Sequence, residues 1–177
     1  MRRAVFLDRD GVINQAIIKN GKPYPPSTLS ELVILSGVND SLRRLRSAGF
    51  RLIVVTNQPD VARGTQTREA VEEMNAWLKT RLLLDEFRVC YHDDSARCNC
   101  RKPAPGLILD AARDSELDLS QSYMIGDRWR DIEAGHRAGC KTIFVDYGYD
   151  ERQPDCPDFR VGSLASAAQL IVSLQKR

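Results

Sequence analysis

The stretch FLDRDGV at residues 6–12 decides the fold, because it places two carboxylates one residue apart at the end of an apolar run. Residues 4–7 have the character of a short buried strand, and Gly11 permits a sharp turn directly after it. Asp8 and Asp10 should therefore leave the carboxyl end of this strand side by side. In an α/β protein that end of a strand is where ligands bind.

Two crowded carboxylates repel each other unless a positive group lies between them. A divalent cation is the simplest such group, and a site built only from oxygen ligands favours magnesium. Taken alone, the D-x-D-G pattern is equally compatible with an exposed turn, because aspartate and glycine are common turn residues. The rest of the chain has to decide between these two interpretations.

The composition predicts a single globular domain over residues 1–177. The chain is 42% hydrophobic and 28% charged, which is ordinary for a folded protein. Its net charge is only +2, and the basic residues are scattered, so nucleic acid is not expected as a partner. The N-terminal residues lack the apolar length of a signal peptide, and no apolar stretch approaches 18 residues. We therefore expect a cytoplasmic protein with no membrane partner.

Apolar runs typical of strands alternate with helical patterns along the chain, which predicts a doubly wound, Rossmann-like parallel sheet in a three-layer α/β fold. Residues 20–26, rich in proline and glycine, are interpreted as a loop. No insertion between strands exceeds about 30 residues, so there is no room for a sizeable cap domain over the site. The predicted strands are 4–7, 51–56, 88–91, 123–125, 141–145 and a short 159–161, and the predicted helices are 37–48, 67–84, 106–115, 129–138 and 164–174.

The cysteine spacing indicates a metal site. Cys90-x-His92 and Cys98-x-Cys100 give three thiols and one imidazole within eleven residues, a complete tetrahedral set for Zn²⁺. Chance clustering of buried thiols is the less favoured alternative. Because residues 101–103 (RKP) come directly after Cys100, the metal is expected to stiffen the loop that positions Arg101 and Lys102. Cys140 and Cys156 stand apart and are interpreted as a core thiol and a surface thiol.

Four motifs fall at or just after predicted strand ends. They are Asp8-x-Asp10, residues 56–58 (TNQ), residues 101–103 (RKP) and residues 126–131 (GDRWRD). In this order they resemble the haloacid dehalogenase (HAD) superfamily over nearly the whole chain. The resemblance implies an Mg²⁺-dependent phosphomonoester hydrolase that works through an aspartyl-phosphate.

The resemblance also implies roles for individual side chains. Asp8 would be the nucleophile, and Asp10 would protonate the leaving oxygen and then activate water. Thr56 would offer its hydroxyl to a phosphoryl oxygen, Asn57 would add an amide donor, and Lys102 would neutralise transition-state charge. A buried, locally bonded Thr56 and a solvated Lys102 are the alternatives.

The magnesium ligands implied by the resemblance are Asp8, the backbone carbonyl of Asp10, and Asp127. Asp131 lies one helical turn beyond Asp127 and could hold a metal-bound water or orient the loop. An ordinary first-turn acidic residue is the alternative for Asp131, and direct ligation also stays open.

The zinc signature narrows the resemblance to a small capless branch that contains heptose bisphosphate and histidinol-phosphate phosphatases. The short interval between His92 and Cys98 is closer to the histidinol type, whereas residues 60–64 (DVARG) resemble the heptose type. Arg63, Arg101 and Arg128 would provide guanidinium donors for the second phosphate of a sugar bisphosphate. We therefore favour a small phosphorylated metabolite of the heptose bisphosphate kind as partner, bound by a monomer or weak homo-oligomer.

Two other functions are compatible with the same fold. A zinc-stabilised binding module without turnover is one, although such a module has no evident use for Asp10. Phosphoryl transfer to an acceptor other than water, as in a mutase, is the second, and it would need a cap to exclude water.

Overall fold

The alternating pattern of the sequence folds into strands and helices over residues 2–175, which are the residues that this computed structural model describes. Short buried apolar runs form the strands and amphipathic stretches form the helices between them. The strands are β1 (Arg3–Leu7), β2 (Ile17–Lys19), β3 (Lys22–Tyr24), β4 (Phe50–Asn57), β5 (Glu86–Cys90), β6 (Tyr123–Gly126), β7 (Lys141–Val145) and β8 (Phe159–Val161), and the helices are α1 (Val38–Ser47), α2 (Arg68–Arg81), α3 (Gly106–Ser115), α4 (Trp129–Ala138) and α5 (Leu164–Leu174).

Six of the strands pair in parallel in the order β5-β4-β1-β6-β7-β8. From β1 the chain first moves outward to β4 and β5, and then returns to the other side of β1 to form β6, β7 and β8. The direction of winding therefore reverses between β1 and β6, and such a reversal opens a crevice at the carboxyl ends of the strands. The doubly wound parallel sheet predicted from the sequence is confirmed.

The two faces of the sheet bury separate apolar layers. Alternate residues of β1 point to opposite sides, so that Val5 and Leu7 belong to one core cluster and Ala4 and Phe6 to the other. The first cluster packs under α1, α2 and α5, and the second under α3 and α4. The fold thus has three layers, with residues 4–7 of β1 fully buried at the centre of the sheet.

Residues 20–26 are only partly the loop that their composition predicts. Ile17–Lys19 and Lys22–Tyr24 form an antiparallel hairpin in which Ile18 pairs with Pro23. Its two central residues, Asn20 and Gly21, have positive φ angles of 51° and 74°, as a tight hairpin turn requires. The loop prediction is wrong for residues 22–24, because a two-stranded ribbon tolerates a proline.

The helix boundaries agree with the sequence signals to within a few residues. Thr67 caps α2 by accepting a 3.1 Å hydrogen bond from the backbone N–H of Ala70, and Gly139 ends α4 in the left-handed conformation. α2 stops at Arg81 rather than at residue 84. Within residues 2–175, no helix combines the length and the apolar character needed to cross a membrane.

Candidate active site

The carboxyl ends of four neighbouring strands bring the sequence motifs together in one cleft of about 270 Å³. Asp8 follows β1, Asn57 ends β4, Lys102 follows β5 and Asp127 follows β6. All four side chains line the cleft, together with Asp10, Arg63, Arg101, Arg128 and Asp131. Thr56 lies one residue before Asn57 and is buried.

The ammonium group of Lys102 links two of these carboxylates. Its Nζ atom lies 2.6 Å from Asp8 Oδ1 and 2.6 Å from Asp131 Oδ1, and it donates a 2.8 Å hydrogen bond to the carbonyl oxygen of Val55. Burial works against the charge of Lys102, but Asp131 and Asp8 outweigh it and hold the pKa of Lys102 above its ordinary value. Lys102 is therefore a buried, permanently charged group rather than a solvated loop lysine.

Burial raises the pKa of Asp8, whereas it acts to lower the pKa of Lys102. Its side chain is almost enclosed, and this desolvation raises its pKa to about 7 in spite of the charge of Lys102. The neighbouring carboxylates of Asp131 and Asp10 act in the same direction as burial. The local negative charge therefore exceeds what one lysine can balance.

Asp127 is the strongest sign that a cation belongs here. The residue is 1% exposed, and among the described residues neither of its carboxyl oxygens has a partner with full hydrogen-bond geometry, although the nearby hydroxyl of Tyr149 acts to lower its pKa. Burial, followed by the charges of Asp8 and Asp131, raises the pKa of Asp127 well above its usual range. One oxygen each of Asp8, Asp127 and Asp131 lie within 4.8 Å of one another. Three carboxylates beside one ammonium form a donor set that fits a divalent cation with oxygen ligands.

Gly11 makes room for this arrangement. Its φ is +90°, and a Cβ atom at this position would lie 1.9 Å from Asp127 Oδ2. Only glycine adopts such a conformation readily and also leaves the space that the carboxylate occupies. The glycine of the first motif thus allows β1 and β6 to present their carboxylates to the same point.

Asp10 is held by a network of donors. Gln58 Nε2 donates a 2.8 Å hydrogen bond to Asp10 Oδ2, and Asn14 Nδ2 donates a 2.9 Å bond to Oδ1. The fully buried guanidinium of Arg9 bonds to both oxygens and is itself bound to Asn75. These contacts fix the carboxylate at the edge of the cleft, where it can exchange a proton with a bound molecule.

The two polar residues that end β4 have different partners. Thr56 Oγ1 accepts a 3.0 Å hydrogen bond from Gln58. The side-chain amide of Asn57 donates to the carbonyl of Lys102 and accepts from its N–H, both at 3.0 Å. In this geometry Asn57 fixes the backbone that carries Lys102, while it also lines the cleft.

The predicted zinc ligands lie close together, shortly before Lys102 in the chain. The Sγ atoms of Cys90, Cys98 and Cys100 lie 3.1 to 3.7 Å apart, and His92 Nδ1 lies 3.3 Å from Cys100 Sγ. Ligands at about 2.3 Å from a tetrahedral zinc ion are separated by roughly 3.8 Å, so the cluster is close to the size that zinc requires. Its last member immediately precedes Arg101 and Lys102 in the chain.

Three guanidinium groups at the cleft contact the same acidic residue. Asp94 accepts hydrogen bonds from Arg101 Nε and Arg130 Nη1, each at 3.0 Å, and lies 3.6 Å from Arg63 Nη2. Arg63 Nη1 also donates a 3.3 Å bond to Asp60, a second acid that lines the cleft. Arg128 lines the same cleft, and its Nε atom donates a 2.8 Å bond to Glu151. Of the three arginines predicted from the sequence, Arg63 and Arg101 share Asp94 with Arg130, whereas Arg128 is paired with Glu151.

Several residues of the site have no clear signal in the sequence. Arg9 and Asn14 flank Asp10, but nothing in their spacing indicates that they bind it. Gln58 belongs to the TNQ motif, whose third position could have suggested a role. Arg130 lies within the GDRWRD motif but has no predicted role there, and Asp94 belongs to no motif, so the two come together only through the fold.

Comparisons with known proteins agree with this geometry. The HAD-hydrolase-like family matches residues 99–167. The D-glycero-beta-D-manno-heptose-1,7-bisphosphate 7-phosphatase of Escherichia coli K12 is 34% identical over 188 aligned residues, which cover 98% of this chain and 95% of that enzyme. The enzyme of the same name from Helicobacter pylori is 37% identical, over 89% of this chain and 94% of its own.

A solved structure has the same architecture. The D,D-heptose 1,7-bisphosphate phosphatase of B. bronchiseptica, determined in complex with magnesium and phosphate, superposes with a TM-score of 0.78. It is 27% identical, and the match covers 99% of both chains. On the strength of the fold, the motifs and these relatives, the chain belongs to the D-glycero-beta-D-manno-heptose-1,7-bisphosphate 7-phosphatase family of HAD-like hydrolases.

Proposed function

We propose that this protein is a phosphomonoester hydrolase that removes the 7-phosphate of a heptose 1,7-bisphosphate through an aspartyl-phosphate intermediate. The observation that carries the proposal is the composition of one cleft, in which the Asp8–Lys102 pair and a group of three guanidiniums lie together. The first pair suits a reacting phosphate, and the guanidiniums suit a second, non-reacting one. The names of the relatives support the same substrate.

In the first step, the carboxylate of Asp8 attacks phosphorus in line with the departing sugar oxygen. A bond forms between phosphorus and the aspartate oxygen, the bond to the sugar oxygen breaks, and Asp10 gives its proton to that oxygen. Lys102 stabilises the charge that spreads over the phosphoryl oxygens, and the hydroxyl of Thr56 donates to one of them. The network around Asp10 keeps its carboxyl in place for the transfer.

In the second step, water cleaves the phosphoenzyme. Asp10, now ionised, takes a proton from the attacking water as the water oxygen bonds to phosphorus, and the bond between phosphorus and Asp8 breaks to release inorganic phosphate. Asp8 is restored as a carboxylate and Asp10 as an acid. One residue thus serves both half-reactions, which fits its fixed position at the edge of the cleft.

We assign a magnesium ion to Asp8, Asp127 and the backbone carbonyl of Asp10. Magnesium bound there supplies positive charge that lets an anionic phosphate approach an anionic nucleophile. Asp131 is better suited to a positioning role, because its Oδ1 contacts Lys102 and its Oδ2 accepts a 3.0 Å bond from the N–H of Arg128. The unpartnered oxygens of Asp127 support its assignment as a ligand.

We assign zinc to Cys90, His92, Cys98 and Cys100, with a structural role. Four protein ligands leave no open position for substrate or water. The bound ion would hold the loop that ends in Arg101 and Lys102. Chelation of zinc should therefore affect activity through the placement of these two residues.

The remaining features of the proposal concern the protein as a whole. We propose that it acts as one domain, as a monomer or weak homo-oligomer, in the cytoplasm, and without nucleic acid as a partner. The modest net charge of +2 and the scattered basic residues support the last point.

Release of inorganic phosphate from three substrates tests the proposal. Heptose 1,7-bisphosphate, fructose 1,6-bisphosphate and histidinol phosphate would be compared with magnesium present and after chelation by EDTA. We expect magnesium-dependent turnover, with the largest kcat/KM for the heptose bisphosphate. Higher kcat/KM for histidinol phosphate would overturn the substrate but not the chemistry.

The variant Asp8→Asn tests the nucleophile. Turnover should fall by a factor of at least about 10³, because an amide oxygen is a poor nucleophile. Asp110→Asn is the matched control, since Asp110 is paired with Arg113 on the outside of α3. Intact turnover in Asp8→Asn would remove the aspartyl-phosphate from the proposal.

A further inference from the structure

Asp94 lies among cationic groups that face the cleft, although no sequence motif includes it. Its carboxylate contacts Arg101, Arg130 and Arg63 from three different parts of the chain. Arg101 belongs to the zinc loop, Arg130 to the first turn of α4, and Arg63 to the loop between β4 and α2. All four residues line the same cleft as Asp8.

The arginines are more enclosed than the acid that joins them. The side chain of Asp94 is 55% exposed, whereas that of Arg101 is 10% exposed. Asp94 opens a single turn of 3-10 helix, Asp94–Ala96, which Asp93 caps. An exposed carboxylate on a short turn can move away from its partners at small cost, because ion pairs in contact with solvent contribute little.

We propose that Asp94 is a specificity-determining residue that occupies the anion site formed by Arg63, Arg101 and Arg130 until the non-reacting phosphate of the substrate displaces it. The proposal rests on the function proposed above. A phosphate group carries up to two negative charges and presents several oxygens to guanidinium donors, so it competes favourably with one carboxylate. A substrate without a second anionic group has nothing with which to displace Asp94.

This arrangement has a consequence for selectivity. The internal carboxylate keeps the three guanidiniums from binding a metabolite whose single phosphate would enter the anion site, as that of heptose 1-phosphate would. It also lowers the affinity for the bisphosphate, because the contacts of Asp94 must be given up on binding. Removing its charge should therefore strengthen the binding of doubly phosphorylated substrates and leave the chemical step unchanged.

The variant Asp94→Asn tests the proposal, because it keeps the shape of the side chain and removes its charge. Heptose 1,7-bisphosphate would be compared with heptose 7-phosphate, which shares the reacting phosphate and lacks the second one. We expect the KM for the bisphosphate to fall about three- to ten-fold, with kcat and the KM for the monophosphate unchanged. Inhibition by heptose 1-phosphate, a product that keeps the second phosphate, should strengthen by a similar factor.

Asp114→Asn is the matched control, because Asp114 pairs with Arg88 and Arg113 outside the cleft. Zinc content and Tm of both variants show whether the zinc loop is intact, and Asp94→Ala provides a second variant with the same expected direction. Equal changes of KM for both substrates, or a higher KM for the bisphosphate, would overturn the proposal and give Asp94 a purely organising role. Absence of magnesium-dependent turnover in the unmodified protein would instead overturn the proposed function.

Discussion

Asn57 and Lys102 exchange two hydrogen bonds of 3.0 Å, one from the side-chain amide of Asn57 to the carbonyl of Lys102 and one in return from the N–H of Lys102. The pair joins the end of β4 to the segment after the zinc loop, 45 residues later in the chain. The position of the lysine in the cleft therefore depends on an asparagine as well as on the loop that precedes it.

The first prediction concerns this pair. In Asn57→Ala both backbone groups of Lys102 lose their partner, and the ammonium should shift relative to Asp8. We expect kcat to fall about 10- to 100-fold, since small misplacements of a catalytic group have effects of this size. Steady-state kinetics measures the change, and Asn39→Ala, on the exposed side of α1, is the control. An unchanged kcat would show that the zinc loop alone positions Lys102.

The second prediction concerns Gln58, which bonds to both Asp10 and Thr56. Gln58→Met keeps the approximate volume and removes the donor, so Asp10 should lose one of the contacts that fix it. We expect kcat to fall about 10-fold or more while KM changes little, because proton transfer depends on the placement of Asp10. Gln169→Met, exposed on α5, is the control. A change confined to KM would argue for a role in binding instead.

The third prediction concerns Gly11. In Gly11→Ala the new Cβ would lie 1.9 Å from Asp127 Oδ2, and the φ of +90° would be strained. We expect weaker magnesium activation in addition to a loss of stability of about 1–3 kcal/mol. Gly139→Ala has a similar φ of +86° and nothing within 4 Å of its Cβ, so it measures the backbone cost alone. Identical magnesium dependence in the two variants would contradict the crowding at Asp127.

The fourth prediction concerns zinc. Cys98→Ser should lower the bound zinc measured by elemental analysis, reduce Tm by about 5 °C or more and lower kcat together with it. The loss of activity follows because Lys102 lies two residues after the last ligand. Cys156→Ser changes an exposed cysteine away from the cluster and should leave all three quantities as they are. Full activity in a zinc-free protein would refute the structural role.

The fifth prediction concerns thiol reactivity. Burial raises the pKa of Cys140 to about 12, so at pH 8 this thiol stays protonated and shielded. A thiol reagent should label Cys156 quickly in the zinc-loaded protein, and Cys98 and Cys100 only after chelation. Cys140 should react only in denaturant. Mass spectrometry of the labelled peptides identifies each site, and rapid labelling of Cys140 in the native protein would contradict its burial.

The fold followed from the sequence because its strands are continuous apolar runs, such as that of β4, and its helices have clear boundary residues, such as Thr67. The hairpin at residues 17–24 could not be predicted from the sequence, since two strands of three residues are too short to show periodicity. The position of the cleft could also be predicted, because polar motifs mark the strand ends that form it. The support of Asp10 by Arg9 and Gln58 depends on side-chain packing, which spacing along the chain does not reveal.

The contacts of the arginines could not be predicted either, because they too depend on side-chain packing. The prediction for Arg63, Arg101 and Arg128 rests on their guanidinium chemistry and on the family resemblance, and the sequence contains no indication that Glu151 engages Arg128. It equally gives no sign that Asp94 would draw Arg130 towards Arg101. Partnerships among exposed charges are set by the tertiary structure, and many arrangements are compatible with one sequence.

The central position of β1 has a consequence for synthesis of the protein. Of the six strands of the sheet this one leaves the ribosome first, yet one of its two flanking neighbours, β6, begins only at Tyr123. A nascent chain that ends before this point lacks Asp127 and one wall of the crevice. Since Asp127 is proposed as a magnesium ligand, we expect no hydrolysis by an N-terminal fragment that ends ahead of β6, and competence only when the second half of the sheet has docked.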